Sequence, residues 1–389
     1  MRICYLADGR YIHTIRWLRY FSERGNDVHL VSFAPMTPEH TRALEEVGVR
    51  CHPPMGNFHL KRFWLTIEEL RSLRHLLRRE KIDVLHCHFL SSNAWYAALS
   101  GFRPLVVTVM GGGDVNGPDW QPRGGRERLL TPFTLRRTDL VTSWSRVMAD
   151  VVRPYCREDT PVEVIHGGID LQRFHRGEKP EYLREKWNLP RDAKVVFSPR
   201  LMRPLSNITQ IAAAAGLVRE KVPNVYFLFS APAEERKEAY EADVRKALSD
   251  SGAADNARFV GPIPHEEMAD YHRLADVTVS IPSTDGTPMT VLESMACGTP
   301  VVVSDIPDYD PRYIEKEKTV LMADPSKVES VAEAIISLLV DTSLAERLSS
   351  EAERRVRATG SYEAQMSKMN QLYTDLLRSR NGKHSKAQS

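Results

Sequence analysis

Short apolar runs alternate with helical patterns along this chain, and the alternation runs through twice. Ile3 to Ala7, Val28 to Phe33, Val84 to Cys87, Leu105 to Val109, Leu140 to Ser143 and Val162 to Ile165 make a first set. Val195 to Ser198, Val225 to Ser230, Arg258 to Val260, Val277 to Ile281, Val301 to Ser304 and Thr319 to Met322 make a second. Apolar runs this short, separated by helix-forming stretches, read as strands buried on both faces of a parallel sheet. Between the sets, Gly167 to Tyr182 carries a glycine pair, charges and Pro180, and reads as a linker. A chain of 389 residues exceeds one ordinary core. The fold class is therefore α/β, with two Rossmann-like, doubly wound parallel-sheet domains whose ligands sit at the carboxyl ends of strands.

Beyond Asp324-Pro325 the pattern is helical nearly to the finish, broken at Thr359-Gly360, and the polar tail Asn381 to Ser389 reads as flexible. A net charge of +2 gives no reason to expect nucleic acid as a partner. The five cysteines, Cys4, Cys51, Cys87, Cys156 and Cys297, are scattered without metal-ligand spacing and read as buried thiols of a reducing compartment. No apolar run approaches the roughly 20 residues that span a bilayer, and the first residues pass straight into a strand, so a cytoplasmic location is expected.

The chemistry concentrates in Ser283-Thr-Asp-Gly-Thr-Pro-Met-Thr-Val-Leu-Glu-Ser-Met-Ala-Cys-Gly-Thr-Pro300. Here a strand candidate meets turn formers and then a helix over Met289 to Ala296, placing Asp285 and Glu293 on either side of the junction. The first N–H groups of such a helix lack internal partners and carry the positive end of its dipole, which suits a phosphate or sugar hydroxyls. Glu293 stands among Val291, Leu292, Met295 and Ala296, where a carboxylate needs a partner that a bound hydroxyl would supply.

This stretch resembles the acid, seven residues, acid signature of the retaining glycosyltransferases of family 4, continued by Glu293-Ser-Met-Ala-Cys-Gly-Thr-Pro-Val-Val302. The resemblance implies the GT-B fold, two Rossmann-like domains facing a cleft. It gives Asp285 the donor sugar, Gly286, Thr287, Pro288, Met289 and Thr290 its hydroxyls and diphosphate, and Glu293 the nucleotide ribose. The first acid is an aspartate where glutamate is commoner, one methylene shorter in reach.

Other segments carry the same resemblance. Leu6-Ala-Asp-Gly-Arg-Tyr-Ile-His-Thr-Ile-Arg-Trp17 is similar to the family's amino-terminal glycine loop, which implies Gly9 and His13 as residues facing the donor diphosphate. His86 and His88 flank Cys87 at a strand end, and alternation sets both on one face. A metal reading finds no third ligand nearby, and the family often carries a similar H-x-H at this strand end, so the resemblance implies structural or acceptor-side histidines. Val107-Thr-Val-Met-Gly-Gly-Gly-Asp114 is similar to a family strand ending in T-x-H-G-x-D, but Met110 replaces the histidine, leaving Gly111, Gly112, Asp114 or His88 to take its role. Ile165-His-Gly-Gly-Ile-Asp-Leu-Gln-Arg-Phe174 resembles the family's hinge element.

At Phe197-Ser-Pro-Arg-Leu-Met-Arg-Pro-Leu-Ser-Asn207, the resemblance makes Arg200 a ligand of the leaving diphosphate. Leu205 occupies the usual lysine position, and Arg203 is the substitute. In Arg258-Phe-Val-Gly-Pro-Ile, the backbone of Val260 and Gly261 is the implied nucleobase contact. Asp308-Tyr-Asp310 has the spacing of a metal-binding D-x-D, but such a spacing is expected about once by chance in a chain this long. Leu60 to Lys81 forms a basic amphipathic helix, joined by Arg123, Arg126, Arg128, Arg136 and Arg137. This face is either simply solvated or docks on an anionic membrane.

The expected domains are residues 1–176 on the acceptor side, 177–360 holding the nucleotide sugar, a helix 361–380 crossing back to the first domain, and a tail 381–389. The expected activity is a metal-independent retaining glycosyltransferase, a hexosyltransferase of polysaccharide biosynthesis, with no cofactor beyond its nucleotide-diphosphate sugar. Its acceptor would be a glycan, a lipid-linked or a small molecule, with peripheral contact to the inner face of a membrane. The alternatives are a sugar-nucleotide epimerase of the same architecture and a non-catalytic nucleotide-sugar-binding scaffold subunit, the latter favoured by Met110 and Leu205.

Overall fold

The computed structural model describes residues 1–56, 63–110, 122, 125–230 and 238–386. The chain divides into two compact units, residues 1–167 with 365–389, and residues 168–364. The expected sites Gly111, Gly112 and Asp114, together with Arg123 and the beginning of the basic run at Leu60, lie outside the described residues.

In the first unit the strands are β1 (Arg2–Ala7), β2 (Asp27–Ser32), β3 (Val49–His52), β4 (Val84–His88), β5 (Leu105–Val109), β6 (Leu140–Ser143) and β7 (Val162–Val164). Between them run α1 (Ile12–Glu23), α2 (Pro38–Glu45), α3 (Phe63–Arg79), α4 (Ser92–Ser100), α5 (Arg126–Arg137) and α6 (Arg146–Val152). The sheet is parallel in the order β3-β2-β1-β4-β5-β6-β7. Strand order reverses between β1 and β4, so the loops after these two strands part and leave a crevice at their carboxyl ends.

Period-two alternation divides the two faces of this sheet. Cys4, Leu6, Leu85, Cys87, Val107, Val109 and Val141 point to one face, where they pack against Leu73 and Leu77 of α3, Ala94 to Ala98 of α4 and Leu135 of α5. The intervening Tyr5, His86, Thr108 and Thr142 are wholly buried on the other. There Tyr5 packs against Phe21 of α1, and Phe21 against Tyr373. β3 was not among the expected strands: of Val49-Arg-Cys-His only Val49 is buried, as befits a short edge strand.

The second unit holds α7 (Glu181–Lys186), β8 (Lys194–Ser198), α8 (Ile208–Lys221), β9 (Val225–Ser230), α9 (Glu238–Asp250), β10 (Ala257–Gly261), α10 (Met268–Leu274), β11 (Val277–Ser280), α11 (Met289–Ala296), β12 (Val301–Ser304), β13 (Leu321–Ala323), α12 (Val328–Val340) and α13 (Thr342–Arg355). Its parallel sheet runs β10-β9-β8-β11-β12-β13, and the order reverses between β8 and β11. The expected linker lacks helix and strand until α7. Gly168 begins this unit at φ +68, and a Cβ there would lie 2.4 Å from the Cα of Tyr362, so only glycine fits. Ile169 bridges to Ser361 beside it. The last helix, α14 (Tyr362–Lys386), passes from there into the first unit.

Candidate active site

In the second unit, the loops after β8 and β11 leave neighbouring strands at the reversal and are stitched together. The Ser283 N–H donates to the Leu205 carbonyl at 2.9 Å. Asn207 Nδ2 donates to the Ile281 carbonyl at 2.9 Å and to Ser283 Oγ at 3.0 Å. Leu205, where a lysine was expected, is an exposed side chain whose backbone joins the loops.

This stitching brings Arg200 against Asp285, with Nη1 2.8 Å from Oδ2 and side chains only 15% and 17% exposed. The other carboxylate oxygen, Oδ1, accepts from the Gly286 N–H at 2.8 Å, which fixes the rotamer. No side chain caps the start of α11, which follows directly after Pro288. Beneath the loop, Ser304 Oγ donates to the Pro282 carbonyl at 2.7 Å and meets the Tyr309 hydroxyl at 2.9 Å. Burial pushes the Tyr309 phenol up, and the charges of Asp285 and Arg200 act on it with opposite signs.

The D-x-D pair belongs to this scaffold. Thr284 Oγ1 donates to Asp308 Oδ2 at 3.3 Å, the Asp310 N–H donates to the Gly286 carbonyl at 3.3 Å, and the Asp310 carboxylate is held by Arg312 Nε at 3.0 Å. Among the described residues no group of three or more His, Cys, Asp or Glu is placed to hold a metal ion.

Among the described residues, six buried polar atoms around these strand ends meet no hydrogen-bonding partner: Ser198 Oγ, Arg203 Nε, Ser206 Oγ, Ser280 Oγ, Thr287 Oγ1 and Thr290 Oγ1. Buried polar groups in folded proteins are satisfied almost without exception, so a concentration of unsatisfied ones marks a place completed by a ligand. Met289 is half-buried beside Thr290 and packs against the cluster of Val291, Leu292 and Met295. Glu293 follows one turn into α11, with Oε2 3.9 Å from Nε2 of the fully buried His272 on α10. Sequence reading did not single out His272, which sits in an ordinary amphipathic helix. Val260 stands at the end of β10, two strands from β8, its side chain packed with Phe197 and Tyr271.

In the first unit, Gly9 follows β1 and donates its N–H to Ser32 Oγ at 3.3 Å. A Cβ on Gly9 would lie 2.2 Å from Met36 Sδ and 2.8 Å from Leu30 Cδ2, so packing against the β2 side favours glycine there. His13, in the first turn of α1, sets its ring edge to face against Trp144, centroids 4.5 Å apart. His88 is fully buried at the end of β4, with Nδ1 3.0 Å from Thr14 Oγ1. Burial, with a smaller contribution from the nearby His13, pushes its imidazole down to about 3. His86 shares its face, as alternation implies. It bonds Thr108 through Nε2 at 2.6 Å and the Tyr373 hydroxyl through Nδ1. Both histidines are thus built into the core beneath the crevice. Met110 is buried just past β5. In α3, Arg74 is not merely solvated: its guanidinium donates at 2.8 Å to the carbonyls of Leu99 and Ser100, closing the end of α4.

Two family models account for most of the chain. Glycosyltransferase Family 4 matches residues 9–173, and Glycosyl transferases group 1 matches residues 180–355. The chain belongs to glycosyltransferase family 4.

Within this family the chain is 26% identical over 315 residues to a D-inositol 3-phosphate glycosyltransferase of Thermomonospora curvata, covering 75% of this chain and 71% of that one. It is 20% identical to an N-acetyl-alpha-D-glucosaminyl L-malate synthase of Bacillus anthracis, over 94% and 93% of the two chains. Other curated relatives are matched over as little as 53% of their own length. The solved structure of Anabaena HepE in complex with UDP-glucose is similar in fold, with a TM-score of 0.75, 17% identity and coverage of 97% and 100%. The family 4 architecture is thus GT-B, a parallel sheet in each of two α/β units.

Proposed function

We infer that this family 4 glycosyltransferase takes a nucleotide-diphosphate sugar as donor in its second unit and transfers the sugar with retention, without a metal. The observation that carries this reading is the set of six unsatisfied buried polar atoms around the Arg200–Asp285 pair and the start of α11. A diphosphate and a sugar bring the acceptors and donors that those atoms lack. Arg200, Arg203 and the amino end of α11 supply the positive charge that a leaving diphosphate needs. Asp285, locked by Arg200 and the Gly286 N–H, orients the sugar and stabilises positive charge at its ring; it is not placed as a free nucleophile. The acceptor then attacks from the face the nucleotide leaves, with the diphosphate taking its proton.

Val260 and Gly261 offer backbone to the base, and Glu293 its carboxylate to the ribose. In the first unit, His88 supports the first turn of α1 through Thr14. The UDP and UDP-glucose held by HepE support a nucleotide-sugar donor, and the relatives' names support a hexose or its N-acetyl derivative as the transferred group. No described helix is long and apolar enough to cross a membrane. The exposed Arg71, Arg78 and Arg79 of α3 make peripheral contact with an anionic surface part of the same proposal.

Calorimetric titration with UDP, GDP and ADP, without metal, on the wild type and on Glu293→Ala tests the reading. Binding of one nucleotide that is weakened in the variant is expected. A correctly folded wild type that binds none of the three overturns it.

A further inference from the structure

On α10, the ring of His272 is fully buried beside Glu293, and neither of its nitrogens meets a hydrogen-bonding partner. Phe197 of β8 and Phe174 set their rings against it, centroids 5.5 and 6.3 Å away at 69° and 61°. Its backbone is tied in place, the His272 carbonyl accepting from Thr299 Oγ1 at 2.7 Å. A neutral imidazole has one N–H donor and one bare acceptor nitrogen, so either tautomer leaves two polar atoms unpaired against an apolar wall. An apolar side chain would carry no such cost. What faces the ring from α11 is a carboxylate. Glu293 Oε2 lies 3.9 Å from His272 Nε2, within ion-pair reach but beyond a hydrogen bond, and the Glu293 side chain is 12% exposed.

The other titratable groups around His272 are already engaged. Arg273, next on the helix, pairs with Asp270 and donates to the carbonyls of Arg173 and His175 at 3.3 Å. The Cys297 thiol of α11 points to the Ala269 carbonyl at 3.8 Å and is pushed up to about 12, mainly by burial, so it carries no charge. His265 lies across Phe174, ring centroids 5.8 Å apart. Among the described residues no lysine or arginine is ion-paired with Glu293. Water on its exposed edge supports the carboxylate in the free enzyme. A ribose seated there displaces that water, and a diphosphate adds negative charge, so a cation behind the carboxylate gains in worth as the ligand lands. Imidazole is the side chain whose ordinary charge change lies in the physiological range.

We propose that His272 is a positioning residue for the donor: binding of the nucleotide sugar draws one proton from solvent onto His272, and the imidazolium closes on Glu293 and fixes its carboxylate towards the ribose hydroxyls. The proton passes from buffer to the bare ring nitrogen. Glu293 stays ionised, and the ligand's diphosphate, esterified at both ends, neither gains nor loses a proton. The inference rests on the proposed role of Glu293 at the ribose.

Calorimetric titration of the full chain with UDP-glucose, GDP-mannose and ADP-glucose tests it, run from pH 6 to 8 in PIPES and in imidazole, two buffers with different heats of ionisation. The bound probe should show a net uptake of up to about one proton, with affinity rising by up to about tenfold per pH unit as pH falls. His272→Phe fills the same apolar wall and His272→Gln keeps a neutral polar group; thermal unfolding checks that each folds. Both should bind the probe without proton uptake, close to the wild type at pH 8 and about tenfold more weakly at pH 6.5. Glu293→Gln keeps His272 but removes its charged partner, and should lose the uptake as well. Wild-type binding with no proton uptake anywhere in this range overturns the inference and leaves the donor site standing. Uptake that persists in both His272 variants overturns it too, placing the proton on another group. Absence of binding by every probe overturns the donor reading, and this inference with it.

Discussion

Asp285 and Arg200 lock each other in the absence of substrate, and that pairing separates their roles experimentally. Replacing Arg200 by alanine removes a charge-assisted contact to the diphosphate, so calorimetry should show binding of the preferred nucleoside diphosphate weakened by roughly 10- to 100-fold. Replacing Asp285 by asparagine frees the guanidinium, so the same nucleotide should bind within about threefold of wild type while turnover falls roughly 100-fold or more, since its role is at the reacting sugar. Asp285→Glu should retain turnover, because the family's commoner acid adds only one methylene. Equal loss of binding in the Arg200 and Asp285 variants would contradict this division. The positions were legible because Asp285, Glu293 and Arg200 stand in spaced motifs next to strand ends. Their pairing was not, since contact between β8 and β11 is a consequence of strand order. Nor was the nearness of His272 to Glu293, which depends on how α10 packs beside α11.

At the scale of elements, the two faces of the first sheet differ in a way that fixes how stability responds to pH. The strands were legible as short apolar runs, and alternation sets Cys4, Leu6, Leu85, Cys87, Val107 and Val109 on the apolar face. The opposite face buries Tyr5, His86, His88, Thr108 and Thr142, and its hydrogen bonds close only when α14 arrives with Tyr373. No local pattern could show that, because the partner lies at the far end of the chain. His88 titrates near 3 in the fold against an ordinary 6.5, with burial the main cause, and His86 shifts the same way. Between these values the unfolded chain binds more protons than the folded one, so stability must fall as pH falls below about 6.5. Each such histidine contributes a slope of about 1.4 kcal/mol per pH unit in that window. Urea unfolding from pH 7.5 to 5 should show this fall, and His88→Gln should make it shallower; an unchanged slope in the variant would exclude His88 as its source. Tyr373→Phe removes the hydroxyl that His86 and Tyr5 share, and should cost roughly 1–3 kcal/mol at pH 7.5 by the same measurement.

For the whole molecule, the repeated alternation announced two sheets, yet the division of the chain into units does not follow sequence order, because α14 returns its side chains to the first. Met366, Met369 and Tyr373 are fully buried, and residues from Gln365 onward belong with 1–167. The second unit has a complete set of cores of its own, and its two ends are joined by the Ile169 to Ser361 bridge, with the Ile169 N–H donating to the Gly360 carbonyl at 2.9 Å and the Tyr362 N–H to the Ile169 carbonyl at 2.8 Å. A chain ending at Ala364 should therefore lose part of the first core while leaving the second intact. Removing three large buried side chains exceeds the few kcal/mol by which a domain of this size is stable, so the first unit should unfold on its own. Limited proteolysis with mass spectrometry should degrade residues 1–167 of the truncated chain and leave a resistant fragment starting near Gly168. Calorimetry of the same chain should retain a cooperative transition from that fragment. If residues 1–167 stay as resistant as in the full chain, α14 is an accessory to the first unit's core and the dependence of β1 and β4 on Tyr373 is much weaker than their hydrogen bonds imply.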